Sequence, residues 1–593
     1  MKKILRIYTL MAAALMLSSC SDFLDQVPDD RQTIDEVFKK KATSEQYLAN
    51  VYSYIRDESN QWSNNPWTAN SDELIPAWNK YATYSINVGN WDAGNSPFSF
   101  WGHYYNGIRS ATFFINHIDE NQEILQLNGQ QLIDQYKAEA RFLRAFFYFN
   151  LMRQYGPVVL VGEEELPPDA PSSSLQFPRS TFDECVSYVV NELDAAAAAL
   201  PLVPSRNGVP SDLEYGRATK GIALAVKSRL LLYAASPFYN GNSSLSGFTN
   251  LDGTPLISQT YDAEKWKKAA DAAKAVIDLG LYNLYQHPSN DPVESYRGIH
   301  LDPWNSETIF ARKANGLPDW DTHCNPRQAG GWCGMAPSQE MVDAYFMSDG
   351  LPVSNETFAT RSPLYSETGF TGNVYNMYVD REPRFYASIT YNNSTWQGGT
   401  LNSPTVINFE VSGPNSVNGH ISDWSKTGYL VRKNVSPNTN SGSGGTGARF
   451  DRPLVLFRLA EIYLNYAEAL NEYEPGNTAI LGYLNLIRQR AGIPAYGSGI
   501  PAPSGQSAVR EAIHRERRIE LAFEYHRWFD VRRWKIAEQS AGDIHGMNVY
   551  KDGNEFYQRV VAERRPFRPE YYLFPITQFE RDRASLLVQN PGW

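Results

Sequence analysis

The chain has 593 residues, a formal net charge of −11 and a hydrophobic fraction of 42%. This length and composition suffice for one large core or for several smaller ones. The acidic balance disfavours nucleic-acid binding, because phosphate groups are neutralised by a basic protein surface.

The first 19 residues have the pattern of a secretory signal peptide. Three basic residues precede an apolar run at residues 8–17, and small residues follow it. This segment is too short to span a membrane permanently. The next residue, Cys20, looks like the lipidated cysteine of a bacterial lipobox, so we expect acyl chains on it to anchor the mature protein. No later apolar run approaches the roughly 20 residues that a membrane-spanning helix needs.

Helical patterns fill most of the chain outside its middle. Small residues recur where neighbouring helices would approach, as in AEARFLRAFFYF and ALAVKSRLLLYAAS. This favours tetratricopeptide-like (TPR-like) helix pairs with a loose period. The predicted helices cover residues 44–56, 100–118, 131–155, 181–200, 218–235, 263–279, 456–472, 480–490 and 511–535.

The middle of the chain is rich in Gly, Pro, Asn and Ser and predicts an irregular insertion. Strand-like pieces lie at residues 386–391 and 405–409, and residues 438–447 read as a flexible loop. Binding surfaces commonly lie on such loops above a rigid scaffold. We therefore predict a mostly α fold in which helix pairs carry a loop-rich ligand-binding insertion. The predicted segments are a signal peptide at 1–19, a lipidated N-terminus and tether at 20–43, an N-terminal helical region at 44–286, the insertion at 287–453 and a C-terminal helical region at 454–593.

Residues 511–535 contain no Gly or Pro and predict one long helix. Glutamates 516, 520 and 524 step along one face of this helix, with arginines beside them. One interpretation is a set of surface salt bridges, each contributing about 0–1 kcal/mol. The other is a semi-buried network in which Glu524 and Asp530 pair with arginines between packed rings, because buried charge is tolerated only when paired.

Part of this segment, RERRIELAFEYHRWFDVRRW, closely resembles the C-terminal signature of SusD/RagB-like nutrient-binding lipoproteins of the Bacteroidetes. The pieces YYLFPI and QNPGW near the end of the chain, and CSDFLD after the signal peptide, also resemble this family. The resemblance implies a lipid-anchored protein on the extracellular side of the outer membrane. It also implies a partner, a SusC-like TonB-dependent β-barrel transporter that receives the captured nutrient.

A search for enzyme motifs finds no zincin, Walker A, dinucleotide-binding or nucleophile-elbow pattern. We therefore assign no catalytic residue, no metal ligand and no cofactor. A glycosidase needs only two suitably separated carboxylates, so a surface glycosidase remains an alternative.

Tryptophans in polar loops are the more informative residues, because an aromatic ring offers a flat apolar face that suits the C–H face of a sugar. In SusD-like proteins the glycan site is built from loops after the first helix and from the non-repeat region. The alternative is that these rings pack loops against the body of the protein. Position and chemistry predict the glycan-binding residues Trp78, Tyr81, Trp91, Asn95, Tyr296, Trp320 and Trp332.

The resemblance and the aromatic loops predict a non-enzymatic protein that captures oligosaccharides and passes them to its transporter. Peptide cargo in the same kind of importer, and a purely structural role beside the barrel, remain open.

Three cysteines remain besides Cys20. Cys324 and Cys333 flank two glycines and could form a disulfide in an exported chain, whereas Cys185 lies in a helical pattern and is expected to be a buried thiol.

Overall fold

The computed structural model describes residues 34–166, 170–206, 209–440 and 447–593. The predicted signal peptide, Cys20 and most of the predicted loop at 438–447 lie outside these ranges.

The N-terminal part of the chain is a succession of helices joined by loops and short strands. Its helices are α1 (Ile34–Lys39), α2 (Lys41–Ser53), α3 (Ala82–Asn87), α4 (Trp101–His117), α5 (Gln122–Leu127), α6 (Gln130–Tyr155), α7 (Phe182–Ala199), α8 (Lys220–Ala235) and α9 (Glu264–Ile277). Its strands are β1 (Leu74–Pro76), β2 (Ser205–Arg206) and β3 (Val209–Pro210).

The middle of the chain combines short helices with two-stranded sheets. Its helices are α10 (Pro292–Leu301), α11 (Leu317–Cys324), α12 (Gln339–Ala344) and α13 (Pro383–Ser388). Its strands are β4 (Thr308–Arg312), β5 (Met335–Pro337), β6 (Phe370–Thr371), β7 (Val374–Tyr375), β8 (Ile389–Thr390), β9 (Thr395–Gly398), β10 (Leu401–Val406) and β11 (Leu430–Val431).

The C-terminal part returns to longer helices. Its helices are α14 (Leu459–Tyr473), α15 (Thr478–Arg490), α16 (Gln506–Glu520), α17 (Arg527–Arg533), α18 (Ala537–Ser540) and α19 (Gln578–Arg583). Its strands are β12 (Leu454–Arg458), β13 (Ala495–Tyr496), β14 (Gly499–Ile500), β15 (Gly542–Met547) and β16 (Arg559–Arg565).

The longer helices form one array in which each packs against the next. Helix α4 packs on α6, α6 on α7, α7 on α8, α8 on α9, α9 on α14, and α14 on α15 and α16. This arrangement confirms the mostly α fold with TPR-like helix pairs. Among the described residues, no helix has both the length and the apolar character needed to cross a bilayer.

Local sequence explains where these helices begin and end. Thr181 and Glu184 form a reciprocal capping box at the start of α7, and α6 ends at Gly156, which has a φ of 74°. The first eight predicted helices are all present, with ends within three residues of those predicted.

The strand-like piece predicted at residues 386–391 is largely helical instead. Pro383 occupies the first turn of α13, where its fixed φ favours a helix, and only β8 is extended. The piece predicted at 405–409 is a strand only as far as Val406, the end of β10.

The single helix predicted over residues 511–535 is wrong, because the chain bends between α16 and α17. Phe523 and Tyr525 adopt φ values of 62° and 69°. This left-handed region costs a residue with a side chain about 1–2 kcal/mol. The bend therefore needs compensating interactions around it, which no helical pattern reveals.

The first compensation is a buried cluster of charges around Glu520, the last residue of α16. Arg458 donates to it at 2.7 Å and Arg384 at 3.0 Å, and Arg490 donates a third hydrogen bond. Burial alone would raise the pKa of Glu520, but the charges of Arg490 and Arg458 hold it well below its ordinary value. Glu520 is therefore a buried carboxylate whose charge is fully matched.

The same pattern continues through the bend. Glu524 accepts a hydrogen bond from Arg458 at 2.7 Å, and Asp530 accepts from Arg517 at 2.7 Å and Arg533 at 2.8 Å. All five side chains are at least nine-tenths buried. The structure thus confirms the semi-buried network, and the interpretation as surface salt bridges is wrong.

A second compensation comes from the segment that leads into β1. Glu73 accepts a hydrogen bond at 3.0 Å from the backbone N–H of Phe523 inside the bend. Its neighbour Asp72 accepts from Arg518 at 2.9 Å and from Arg527 at 2.7 Å. These two acids join the N-terminal region to both helices of the bend.

We expect Glu520→Gln to lower the free energy of unfolding by about 3–5 kcal/mol, because it removes the negative charge that three buried arginines share. Urea denaturation followed by circular dichroism measures this loss. The control is Asp271→Asn in the exposed pair Lys267–Asp271 of α9, for which we expect a change within about 0.5 kcal/mol. A loss below about 1 kcal/mol for Glu520→Gln would contradict the assigned role of the network.

Glu73 gives a pH-dependent prediction. Burial raises the pKa of Glu73 from 4.5 to about 8, with the Asp72 charge adding to the rise. The folded state therefore keeps a proton that the unfolded state releases near pH 4.5, and the free energy of unfolding falls as the pH rises between these values.

Glu73→Gln removes this titration but retains an acceptor for the Phe523 N–H. We expect its stability relative to the parent protein to increase between pH 4.5 and about 8, on the order of 1 kcal/mol per pH unit. Urea denaturation of both proteins across this range measures the difference. A stability difference that stays constant with pH would contradict the prediction.

Candidate functional site

A short strand pairing brings two distant loops together. Strands β1 and β5 pair antiparallel, with Leu74 opposite Pro337 and Pro76 opposite Met335. The N–H of Ala77 donates to the carbonyl oxygen of Gly334 at 2.8 Å and extends the pairing by one residue. The residues that follow β1 consequently lie beside those that precede β5.

Four aromatic side chains meet at this junction, and we call them the aromatic platform: Trp78, Tyr81, His323 and Trp332. The ring of Trp78 lies 6.0 Å from that of Tyr81, 5.1 Å from that of His323 and 6.3 Å from that of Trp332, each in an edge-to-face arrangement. Trp332 is 43% exposed, Tyr81 is half-buried and Trp78 is only 8% exposed. Trp78 therefore forms the base of the platform, and Trp332 presents its ring to solvent.

Gly334 sets how closely the two loops approach. A Cβ atom at this position would lie 1.9 Å from Cη2 of Trp78. The indole ring therefore packs directly on the backbone of Gly334, and any side chain there would displace it.

His323 connects the platform to the body of the protein. It stacks on Trp62 at 3.7 Å with an angle of 17° between the rings, and its Nδ1 lies 2.6 Å from the carbonyl oxygen of Asp319. Burial lowers the pKa of His323 to about 4, and the positive charge of Lys80 adds to this effect. The imidazole is thus neutral near pH 7 and acts as a packing ring.

Polar groups surround the exposed rings. The indole N–H of Trp78 donates to Oδ1 of Asp423 at 2.9 Å, and Oδ2 of Asp423 lies 3.5 Å from Nη1 of Arg327. The Lys80 ammonium lies 5.1 Å from the ring centroid of Tyr81. Chemically, the platform offers apolar ring faces with charged hydrogen-bonding groups at their edge.

The structure brings Trp78, Tyr81 and Trp332 together but separates the other four predicted residues. Trp91 is 5% exposed and packs on the rings of Tyr571, Phe574 and Trp593, at 5.0, 4.9 and 4.6 Å. It is a core residue, which corrects its predicted role.

Tyr296 and Trp320 are also core residues, which corrects two further predictions. Tyr296 is completely buried, and its hydroxyl donates to the carbonyl oxygen of Glu520 at 2.8 Å. Trp320 is 2% exposed, so no ligand can reach its ring. Asn95 is exposed, and its backbone N–H donates to Asp92 at 2.8 Å within a turn.

The predicted disulfide between Cys324 and Cys333 is not formed in the structure, where both are buried free thiols. The backbone N–H of Arg327 donates to Sγ of Cys333 at 3.3 Å. Cys185 is a buried free thiol, as expected.

Sequence reasoning missed His323, Asp423, Arg327 and Lys80 as members of this site. His323 and Arg327 lie in the same polar stretch as Trp320 and Trp332, and Lys80 lies between Trp78 and Tyr81. Their closeness to predicted residues was the only available indication. Asp423 lies in another loop, and only tertiary structure places it here.

No set of three or more His, Cys, Asp or Glu side chains within the described ranges is arranged to hold a metal ion.

Comparison with known proteins agrees with this architecture. Residues 301–593 match the model of the SusD family, and residues 22–232 match a model described as starch-binding associating with outer membrane. These regions include the α16–α17 bend and β1, respectively. The chain belongs to the SusD family.

Similar proteins come from the genus Bacteroides. A SusD-like protein of Bacteroides ovatus is 22% identical, and the match covers 99% of this chain and 95% of that protein. The crystal structure of a SusD-like protein from Bacteroides fragilis is 28% identical, with a TM-score of 0.75 over 95% of this chain and 99% of that chain. A SusD-like carbohydrate-binding protein from Bacteroides fragilis is 24% identical, with a TM-score of 0.70 over 93% and 100% of the two chains.

We expect Gly334→Ala to displace Trp78 and to lower the free energy of unfolding by about 1–3 kcal/mol, because the new methyl group overlaps the indole ring. Thermal denaturation and tryptophan fluorescence measure the two effects. The control is Gly482→Ala in α15, where a Cβ meets open space and helix propensity predicts a gain of about 0.5–1 kcal/mol. Equal stability changes in the two variants would contradict the close packing of Trp78 on Gly334.

Proposed function

We propose that this chain is a non-enzymatic cell-surface protein that captures oligosaccharides on the aromatic platform. The observation that carries the proposal is Trp332, a large ring that is 43% exposed beside Tyr81 and a rim of polar groups. Exposed aromatic surface that is grouped and rimmed by polar residues is a feature of ligand-binding sites.

The chemistry of the platform suits a sugar. A pyranose ring can lie against the face of Trp332 or Tyr81 while its hydroxyl groups bond to Asp423 and Arg327. One such stack contributes about 1 kcal/mol, so affinity accumulates over several contacts. Binding of this kind is reversible, which suits a protein that must release its cargo.

The family relationship supports the proposed location of the protein and its proposed partner. A similar fold occurs in a SusD-like carbohydrate-binding protein, and one matching family model describes starch binding in association with the outer membrane. We propose that acyl chains on Cys20 hold the protein on the extracellular side of the outer membrane. A SusC-like TonB-dependent β-barrel transporter would then receive the glycan.

Affinity electrophoresis of residues 21–593 through gels containing plant, host and fungal polysaccharides tests this function. We expect at least one polysaccharide to retard the protein without being shortened. Trp332→Ala and Tyr81→Ala should each weaken binding about fivefold, the loss of one stacking contact.

The matched control is Tyr261→Ala, which removes a ring that is 58% exposed elsewhere on the surface and should leave binding unchanged. Equal losses in all three variants would remove the platform from the binding site. Shortening of the polymer would instead favour a glycosidase, and failure of every glycan to bind would favour peptide cargo or a scaffolding role.

A further inference from the structure

The rim of the aromatic platform is positively charged, in contrast to the chain as a whole. The chain as a whole is acidic, with 65 acidic and 54 basic residues. The rim of the platform nevertheless presents Lys80 and Arg327 to solvent, and the ammonium of Lys426 donates to the side chain of Asn79, the residue before Lys80, at 2.6 Å. A local surplus of positive charge on an acidic protein indicates a negatively charged ligand.

The acids near the rim are already engaged. Asp423 accepts from the indole N–H of Trp78 at 2.9 Å and from the hydroxyl of Ser422 at 2.8 Å. Asp319 pairs with Arg449 at 2.9 Å. Glu563 accepts from Arg565 at 2.8 Å, and its Oε2 lies 3.9 Å from the ammonium of Lys426, so one acid faces two cations. Asp423 lies opposite Arg327 and Asp319 opposite Arg449, so among the described acids none is left to pair with Lys80.

Two cations keep free bonding capacity. Lys80 is exposed and makes no ion pair with any described residue. Arg327 is 30% exposed, and its only acidic partner in the described part of the chain is Asp423, at the long distance of 3.5 Å. Its planar guanidinium keeps donors that can bind a carboxylate or sulfate group in a forked geometry.

We infer that the aromatic platform selects an acidic glycan, whose sugar rings stack on Trp332 and Tyr81 while a carboxylate or sulfate group binds Arg327 and Lys80. This inference rests on the proposed function and narrows its substrate class. Stacking supplies contact with any sugar ring, and the two cations supply the preference for an acidic one.

The test uses oligosaccharide pairs that differ only in charge. Oligogalacturonates are compared with their methyl esters, which mask the carboxylates, and sulfated galactan oligosaccharides with desulfated ones. Isothermal titration calorimetry measures each dissociation constant at low and at physiological salt. We expect at least one acidic member to bind about tenfold more tightly than its neutral counterpart, and salt to reduce that preference.

Substitutions show which residues cause the preference for the acidic member. Arg327→Ala should abolish the preference for the acidic member, and Lys80→Ala should reduce it, because each variant weakens binding of the acidic member more than binding of the neutral one. Arg327→Lys should restore only part of the preference, because it keeps the charge and loses the forked geometry. The control is Lys267→Ala on α9, an exposed lysine elsewhere that should change nothing.

The outcomes separate the two proposals. A preference lost in Arg327→Ala supports the inference, and the carboxylate and sulfate pairs show which group is recognised. Equal binding of charged and neutral members, lost in Trp332→Ala, would overturn the acidic preference and leave glycan capture intact. Failure of every oligosaccharide to bind would overturn both.

Discussion

The fold depends on the matched burial of charge at the bend between α16 and α17. Each buried carboxylate there is compensated by guanidinium groups from other parts of the chain: Glu520 meets Arg384 from α13, Arg458 from β12 and Arg490 from α15. Such a cluster exists only when all its contributors are in place, because an unmatched buried charge is very unfavourable. It therefore ties the irregular middle of the chain to the helical array.

The same bend holds the candidate site in position. Asp72 and Glu73 bind the bend and lead directly into β1, whose pairing with β5 sets Trp78 against Gly334. Of the platform residues, His323 lies on α11 and the other three lie on loops that adjoin the β1–β5 pairing. A rigid base of this kind keeps Trp332 presented to solvent without an ordering cost at each binding event.

Tryptophans of this protein serve both as core residues and as members of the candidate site. Trp320 and Trp332 lie in one polar stretch of the sequence, yet one is 2% exposed and the other 43%. Trp320 belongs to the short helix α11 and faces the core, whereas Trp332 precedes β5 and faces away from it. Composition alone cannot separate such residues, because burial is set by the element that each one joins.

The sequence determined the helices, their TPR-like pairing and the family. It also determined that the charges near Glu524 are paired. Helical periodicity, capping and charge spacing are local properties that a sequence shows directly. Only the tertiary structure decided that α16 and α17 are separate helices and that Asp423, Arg327 and Trp78 meet. Glu73 stabilises the bend, and the β1–β5 pairing brings the loops of the site together. Both contacts join residues hundreds of positions apart. Contacts over such separations leave no periodic pattern in a single sequence. For that reason, four of the seven residues predicted to bind glycan lie away from the platform.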